Sequence, residues 1–378
     1  MITRNVQLDA MKRSGIRRFT NLAKTVDDCV MLTLGEPDFA TPAPICQAGA
    51  AAMAAGMTHY APNQGMPALR QALAEFETRR GYPCDESQIL VTVGATGALF
   101  TALLGTLNPG DEVVVPTPAF PLYESIATAA GAVTVPLHTE KDGFQITKAA
   151  LDGVITPKTR AIVLNSPNNP TGVVYSARSL AAVKAAVLGK PIYVICDNVY
   201  QGLCPEQVPD LSLDAELRQQ VLICQSFSKP YAMTGWRVGY LAGPEDVIAR
   251  LLLLNAAQIA AVPTFLQQAC ITALEQDTRP MAQVYARRRE YVCSRLTGMG
   301  ISCPRPEGAF YVFADIRPFG IPSEEFCTRL ITEGGVAAVP GSCFGAEGFL
   351  RISYCCSDEA LQKGLDRLEA FLKRLQTA

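Results

Sequence analysis

Three groups that can do chemistry each follow a short apolar run of the sequence: Lys229, Asp197 and the turn Gly94–Gly97. A lysine at the rim of an apolar core can have a lowered pKa and attack a carbonyl carbon. A buried carboxylate can hold a protonated ring nitrogen. The free amides at the start of a helix can bind an anion. These residue types are suited to a carbonyl group, a protonated ring nitrogen of a cofactor and an anion.

Two serines and an arginine extend the predicted anion site. Ser226 and Ser228 add hydroxyl groups, and Arg237 adds a fixed cation eight residues after Lys229. The glycine-rich turn is neither a full Gly-x-Gly-x-x-Gly motif nor a Walker loop. Structural alternatives stay open, since Lys229 could be a solvated surface lysine and Asp197 could be a helix N-cap or a turn residue.

Seven short apolar runs, rich in Val and Ile, alternate with helical patterns and are typical of strands covered on both faces. Strands that alternate with helices favour a mainly parallel sheet. Ligands bind beyond the carboxyl ends of such strands. The predicted strands are Ile89–Val93, Glu112–Pro116, Val133–Leu137, Ala161–Asn165, Ile192–Cys196, Val221–Cys224 and Val238–Leu241. The helical patterns between them include Ala98–Leu107, Ser176–Val187 and Asp246–Leu254.

The pattern changes from about Met281, where a charged helix is followed by three strand-like runs and a final amphipathic helix. The runs are Ala309–Phe313, Val336–Val339 and Leu350–Tyr354, and the last helix is Ser357–Leu375. We therefore predict an α/β fold. A large domain, residues 45–280, holds a mainly parallel seven-stranded sheet flanked by helices. A smaller α+β domain combines residues 1–44 and 281–378.

The composition excludes several classes of protein. The 378 residues are 49% hydrophobic and 18% charged, which excludes a disordered chain. A net charge of −2 gives no electrostatic footprint for nucleic acid. The longest apolar stretch, Leu251–Val262, contains Asn255 and Gln258 and is too short to span a membrane. The N-terminal residues have no apolar signal core, so we expect a cytoplasmic protein without a membrane partner.

The thirteen cysteines form no Cys-x-x-Cys pair, and the two histidines, His59 and His138, lie far apart in the sequence. A zinc site is therefore not expected. We interpret most of the cysteines as small buried apolar residues in a reducing compartment.

The stretch Ser226–Gly239 resembles the pyridoxal-phosphate lysine motif of class I/II aminotransferases. Six further motifs occur in the order that this family has: Leu34–Phe39, Tyr60–Gly65, Asn165–Gly172, Gly308–Tyr311, Val339–Gly341 and Leu350–Ser353. The nearest resemblance is to bacterial aminotransferase A-like enzymes and the aspartate aminotransferase subfamily. The residues Ser14–Arg17 are similar to an N-terminal segment of the aminotransferase A type. The resemblance runs from Leu34 to Ser353 and implies fold type I with pyridoxal 5'-phosphate as cofactor.

The resemblance also implies roles for residues around the cofactor. Lys229 is similar to the lysine that forms the internal aldimine, and Asp197 to the partner of the pyridine nitrogen. Tyr200 and Asn169 resemble the partners of the ring hydroxyl oxygen, and Lys229, Asp197 and Tyr200 are the expected catalytic residues. Phe120 resembles the aromatic residue that stacks on the ring. The implied phosphate-binding residues are Ala95, Thr96, Ser226 and Arg237.

The resemblance further implies a substrate site and a homodimer with shared active sites. Arg351 is similar to the arginine that grips the substrate α-carboxylate, with Gly35, Asn169 and Ile16 as further substrate-binding residues. Tyr60 resembles the tyrosine that reaches the phosphate of the neighbouring subunit's cofactor. Several structural alternatives stay open. They are core packing for Phe120 and Tyr200, a helix cap for Thr96 and a carboxylate partner for Arg351, whereas Tyr311 is assigned to packing.

The implied function is transfer of an amino group from an L-amino acid to a 2-oxo acid, with 2-oxoglutarate as acceptor, by a ping-pong mechanism. A carbon–sulfur β-lyase, a synthase that acts on an aminoacyl sulfonium and a non-catalytic cofactor-binding regulator remain as alternatives. Two positions depart from the family pattern. Asn198 stands where many relatives have an acidic residue. The segment Thr96–Leu107 has no cation for a distal carboxylate, a role for which Arg17 and Arg18 are candidates.

Overall fold

The computed structural model describes residues 5–12, 15–204 and 206–377 of the chain. Ser14, part of the N-terminal motif, lies outside the described residues. The helices within the described part are α1 Val6–Ala10, α2 Gly15–Ala23, α3 Ala43–Ala54, α4 Pro67–Arg80, α5 Gly94–Thr106, α6 Leu122–Ala129, α7 Lys148–Asp152, α8 Ala177–Val187, α9 Glu245–Ile259, α10 Thr264–Ala273, α11 Arg279–Gly298, α12 Ser323–Gly334 and α13 Asp358–Thr377.

The strands that the described residues form belong to three sheets. They are β1 Val30–Met31, β2 Ile89–Thr92, β3 Glu112–Thr117, β4 Val133–His138, β5 Thr159–Asn165, β6 Tyr193–Asp197, β7 Val221–Ser226, β8 Gly239–Ala242, β9 Tyr311–Asp315, β10 Val336–Ala337, β11 Val339–Pro340 and β12 Phe349–Ser353.

The seven-stranded sheet has the order β2-β8-β7-β6-β5-β3-β4. Strand β8 is antiparallel to both of its neighbours, and the other pairs are parallel. The predicted α/β fold with a mainly parallel sheet is therefore confirmed. All seven predicted strands form, with ends that differ from the prediction by two residues at most.

The sheet is covered by helices on both faces, which explains the continuous apolar runs of its strands. Along β6, Val194 and Cys196 face a core shared with α3, α4, α8 and α10. Ile195 faces the opposite core, which is shared with α5, α6 and α9. Successive side chains of a strand point to opposite faces. Both faces are apolar here, so apolar and polar residues do not alternate along the sequence of the strand.

The prediction of a connecting turn at Gly94–Gly97 is wrong, because these four residues form the start of α5. The predicted helix Ala98–Leu107 therefore starts four residues earlier, at Gly94. Gly94 has a φ of 64°, which a residue with a side chain rarely adopts. Its glycine permits the sharp entry from β2 into the helix and leaves the first amides of α5 free of side-chain cover.

A smaller three-stranded antiparallel sheet, β11-β12-β9, packs with helices α11, α12 and α13 around a separate core. The prediction of a single strand over Val336–Val339 is wrong. Residues 336–337 pair with β1, parallel, whereas residues 339–340 pair with β12, antiparallel. The chain changes partner at Ala338, and one straight strand cannot serve both sheets.

The segment before α3 lies against this smaller sheet region. Strand β1 pairs with β10 in the two-stranded sheet, and α2 packs on α12. Helix α3 extends across residue 45 and helix α11 across residue 281, where we placed the domain boundaries. The division of the chain at those residues stays a prediction.

No helix in the described ranges combines the length and the hydropathy that a membrane crossing requires. The same residues contain no cluster of His, Cys, Asp and Glu side chains suited to a metal ion. The cysteines are free thiols.

Candidate active site

The parallel strands β5, β6 and β7 bring the predicted site residues to one edge of the sheet. Asn165 at the end of β5 lies opposite Asp197 at the end of β6, and Asp197 lies opposite Cys224 in β7. The Asn165 side-chain amide donates to the Asp197 carbonyl oxygen at 3.0 Å. The amide of Asn169 donates to the Asn165 side chain at 2.8 Å. This network fixes the loop after β5 against the end of β6.

Asp197 is a buried carboxylate with one oxygen unpaired. Its Oδ2 accepts a hydrogen bond of 2.6 Å from the Tyr123 hydroxyl. Its Oδ1 is buried and has no hydrogen-bond partner among the described residues. Burial raises the pKa of Asp197 to about 6, against the opposing effects of the Tyr123 hydroxyl, the Val199 amide and the charge of Lys229. The site therefore favours a cationic or hydrogen-bond-donating ligand at Oδ1.

Lys229 follows β7 and points its amine at the segment after β1. The Nζ atom donates to the Gly35 carbonyl oxygen at 2.5 Å. Burial lowers the pKa of Lys229 from its usual value. A lysine with a lowered pKa has a larger fraction of uncharged, nucleophilic amine near neutral pH. The structural alternative of a solvated surface lysine is therefore wrong.

The start of α5, β8 and Arg237 pack tightly enough to form an anion-binding corner. A Cβ atom on Gly239 would lie 2.6 Å from the Gly94 carbonyl carbon and 2.8 Å from the Ala95 nitrogen. A Cβ atom on Gly94 would lie 2.8 Å from Nη2 of Arg237. The cation of Arg237 thus lies beside the free amides at the start of α5, as anion binding requires. Thr96, the third residue of α5, is exposed.

The backbone of Arg237 and the two serines complete this corner. Arg237 has a left-handed φ of 57°, an uncommon conformation for an arginine that often marks a functional site. Its Nη1 donates to the Thr234 carbonyl oxygen at 2.9 Å. The hydroxyl of Ser226 lies 2.9 Å from that of Ser228 and accepts the Ser228 amide at 3.0 Å. Ser226 pairs with Gly239 across β7 and β8, so these contacts hold the two hydroxyls next to the start of α5.

Arg351 is a buried cation held by an amide side chain, a backbone carbonyl and two aromatic rings. Nη1 donates to Oδ1 of Asn169 at 2.9 Å, and Nη2 donates to the Thr33 carbonyl oxygen at 2.7 Å. The guanidinium lies 4.4 Å from the ring centre of Tyr311 and 5.0 Å from that of Phe344. Nε is buried without a partner in the described structure. The alternative of a carboxylate partner for Arg351 is wrong.

Tyr200 lies between Asn169 and a tyrosine that the sequence assigned to packing. Its hydroxyl lies 3.5 Å from Nδ2 of Asn169 and 3.2 Å from the Tyr311 hydroxyl. Tyr311 and Tyr123 are the site residues that sequence reasoning missed. Tyr123 lies three residues after Phe120, and the two rings meet edge to face at 6.1 Å. Phe120 precedes α6 and Tyr123 is its second residue, so no helical periodicity linked the two, and the sequence carried no signal for Tyr123.

The remaining predicted residues lie in other surroundings. Tyr60 is 91% exposed on the surface of the chain. Ile16 in α2 packs with Cys343 against an apolar cluster that includes Phe344, next to Arg351. Neither of these positions contradicts the roles expected of Tyr60 and Ile16, which stay predictions.

The two departures from the family pattern also have structural counterparts. The Asn198 amide donates to Oδ2 of Asp210 at 3.2 Å, so its side chain joins a polar network behind Asp197. Arg18, a candidate for a distal substrate carboxylate, donates to Glu324 at 2.6 Å. Arg17 is exposed. The roles of Arg17 and Arg18 in substrate binding stay untested.

Comparison with known proteins agrees with this geometry. The family model of class I and II aminotransferases matches residues 27–368. The chain belongs to this family. Members of the family use pyridoxal 5'-phosphate as their cofactor, and the chain is an aminotransferase.

Individual relatives match this aminotransferase over nearly its whole length. A probable N-acetyl-LL-diaminopimelate aminotransferase of Bacillus subtilis is 37% identical over 372 residues, 97% of this chain and 94% of that protein. An aromatic-amino-acid aminotransferase of Thermococcus litoralis is 36% identical, covering 97% of each chain. The structure of aspartate aminotransferase from Thermus thermophilus with maleate has a TM-score of 0.93 at 36% identity, covering 98% of this chain and 100% of that one.

The residues of this aminotransferase fit pyridoxal phosphate. The unpaired Oδ1 of Asp197 suits a protonated ring nitrogen, because a cation there would pair with the buried carboxylate. The corner of Arg237 and the α5 amides suits the phosphate. The partly buried amine of Lys229 suits the aldehyde. Each of these three groups offers unused binding capacity of the kind that one part of the cofactor needs.

We expect Gly239→Ala to weaken cofactor binding, because the new Cβ would overlap the backbone of residues 94 and 95. Overpacking of this kind costs about 1–3 kcal/mol, which corresponds to a dissociation constant for pyridoxal phosphate that is higher by a factor of about 5 to 160. A titration that follows the fluorescence of Trp236, the single tryptophan, measures this dissociation constant. Gly235→Ala is the matched control, since nothing lies within 4 Å of its new Cβ. Equal dissociation constants for both variants and the wild type would contradict the assignment of the corner.

The cofactor-free protein should lose stability as the pH rises from about 4 to 7, because the buried carboxyl of Asp197 must ionise. Its folded pKa of about 6 exceeds the ordinary value of 3.8, so the unfolded chain releases this proton at lower pH. About two pKa units at 1.36 kcal/mol each give a change of about 3 kcal/mol. Asp197→Asn removes this contribution, and urea unfolding at several pH values measures the difference. Asp152→Asn, at an exposed carboxylate, is the control; wild-type and Asp197→Asn curves that run parallel would refute the expectation.

Proposed function

We propose that this aminotransferase moves the amino group of an L-amino acid to 2-oxoglutarate in two alternating half-reactions, with Lys229 as the amine that carries the cofactor. The observation that carries this proposal is the convergence of three incompletely paired groups. They are the amine of Lys229 with its lowered pKa, the unpaired Oδ1 of Asp197 and the unpaired Nε of Arg351. One amino-acid substrate joined to one ring cofactor would engage all three.

Arg351 would bind the α-carboxylate that amino acids and 2-oxo acids share. A guanidinium can bind a carboxylate through two parallel hydrogen bonds, which also fixes the direction of the ligand. Asn169 and the Thr33 carbonyl oxygen hold Nη1 and Nη2, so the plane of the guanidinium is set before the substrate arrives. A fixed carboxylate fixes the orientation of the bonds at the α-carbon.

Asp197 and Lys229 would act on different atoms, Asp197 on the nitrogen of the cofactor ring and Lys229 on the proton of the substrate α-carbon. When bound, pyridoxal phosphate supplies an electron sink for negative charge at the substrate α-carbon. Asp197, through Oδ1, would keep the ring nitrogen protonated. The Lys229 Nζ, once free, would take the proton from the α-carbon and return it, because its lowered pKa leaves part of the amine uncharged.

The names of the relatives support an aminotransferase over a carbon–sulfur β-lyase, since those quoted above are all aminotransferases. Their printed substrates differ and include N-acetyl-LL-diaminopimelate, aromatic amino acids and aspartate. These names therefore support the reaction and leave the amino donor of this chain open.

We further propose a homodimer in which Tyr60 of one subunit reaches the cofactor phosphate of the other. The support is its 91% exposure, which is high for a tyrosine. A tyrosine with a large free surface is suited to an interface between subunits.

The decisive experiment compares Lys229→Ala with the wild type. We expect transamination to fall by roughly 10³-fold or more, since the covalent route is lost, while pyridoxal phosphate still binds through the phosphate corner. In the wild type, a single amino acid without an oxo acid should change the visible absorption of the bound cofactor. Lys148→Ala, at an exposed lysine, is the control and should behave as the wild type. Wild-type turnover by Lys229→Ala would overturn the proposal, and pyruvate and ammonia as products would favour the lyase.

Shared active sites predict complementation between two impaired variants. Tyr60→Ala keeps Lys229 but loses the phosphate contact, whereas Lys229→Ala keeps Tyr60. After mixing and subunit exchange, half of the dimers are hybrids with one intact site, so about one quarter of the wild-type activity should return. The assay is run at limiting pyridoxal phosphate, with each variant alone as control. Activity that never exceeds the sum of the two variants would refute the shared site.

A further inference from the structure

Tyr311, the first residue of β9, contacts three of the proposed site residues at once. Its hydroxyl lies 3.2 Å from that of Tyr200. Its ring lies under the guanidinium of Arg351, 4.4 Å from Cζ to the ring centre. A Cβ atom on Gly35, whose carbonyl oxygen accepts from Lys229, would overlap the Tyr311 hydroxyl. The side chain is fully buried. A residue that served packing alone would not need a hydroxyl at this point.

The two hydroxyls can form a directed chain of hydrogen bonds. Burial raises the pKa of Tyr200 well above its usual value and that of Tyr311 to about 12, so both keep their hydrogens at neutral pH. A phenol has one hydrogen to donate and can accept two. If Tyr200 donates its hydrogen to a ligand, its oxygen is free to accept from Tyr311. Each bond in such a chain polarises and strengthens the next.

We propose that Tyr311 is a positioning residue: its hydroxyl donates to Tyr200 and thereby directs and strengthens the hydrogen bond from Tyr200 to the hydroxyl oxygen of the cofactor ring. The inference rests on the proposed function, because it gives Tyr200 a cofactor atom to bind. The ring of Tyr311 meanwhile supports Arg351 from below through a cation–π contact. One side chain thus connects the cofactor end of the site with the carboxylate end.

The substitution Tyr311→Phe separates these two contributions. It removes the hydroxyl and keeps the ring under Arg351. The titratable and charged groups that act on this tyrosine pair are Arg351, Asp197 and Cys355, and all of them remain. A change in the protein therefore reflects the lost hydrogen bond.

The first measurement is the pH midpoint of the visible absorption of the holoprotein. Without the Tyr311 hydroxyl, we expect Tyr200 to donate a weaker hydrogen bond, which would leave more negative charge on the oxygen of the cofactor ring. That charge would hold the proton on the Lys229 nitrogen to higher pH. We expect Tyr311→Phe to raise the midpoint by roughly 0.5 pH unit. Steady-state kinetics should show a lower kcat with an unchanged KM for the amino acid, because Arg351 keeps its support.

A double-mutant cycle tests whether Tyr311 acts through Tyr200. The effect of Tyr311→Phe on the midpoint should vanish when Tyr200 is already Phe. Tyr354→Phe is the matched control, since Tyr354 is an equally buried tyrosine whose hydroxyl donates to the Ala309 carbonyl oxygen at 3.5 Å. It should leave midpoint and kcat unchanged. Circular dichroism confirms that each variant is folded.

The outcomes separate this inference from the function on which it rests. A wild-type midpoint and kcat in Tyr311→Phe would overturn the positioning role, as would equal shifts in the Tyr200→Phe background or in the Tyr354→Phe control. If the wild-type holoprotein itself shows no visible band and no response to amino acids, the proposed function fails instead.

Discussion

A buried carboxylate with one unpaired oxygen is the constraint on which the site depends. Removing a charge from water without a partner is expensive, and proteins tolerate it where a ligand or a proton completes the pair. Asp197 holds this position because β6 lies between two other parallel strands and ends there. Tyr123 from α6 and Asn165 from β5 fix the carboxylate and its backbone. The central strands, the helix covers and the loop after β5 all serve to keep that oxygen available.

The other half of the site comes from the segment after β1 and from the smaller sheet. Thr33 and Gly35 supply the carbonyl oxygens that accept from Arg351 and Lys229. Arg351 lies in β12 and Tyr311 in β9, which pair directly with each other. Rigid pairing of these two strands sets the height of the guanidinium over the tyrosine ring. Lys229 and Arg351 are thus brought together by elements far apart in the sequence.

The sequence predicted the large sheet well because its strands are buried on both faces and read as continuous Val- and Ile-rich runs. It failed at Val336–Val339, where four apolar residues serve two different sheets, since composition carries no information on pairing partners. The predicted residues at the strand ends do converge, because parallel strands end on one edge. Tyr123 and Tyr311 were missed for another reason. Their importance comes from hydroxyl contacts to Asp197 and Tyr200, which exist only after distant elements pack.

The hydrogen bond from Lys229 to the Gly35 carbonyl oxygen joins the chain that follows β7 to the segment that leads out of β1. An uncharged amine that donates one hydrogen keeps its lone pair, so this contact directs the nitrogen without blocking its attack on a carbonyl carbon. The direction of the amine is therefore set by a backbone oxygen, which no side-chain substitution removes. The side chains around the amine can change while its aim stays the same.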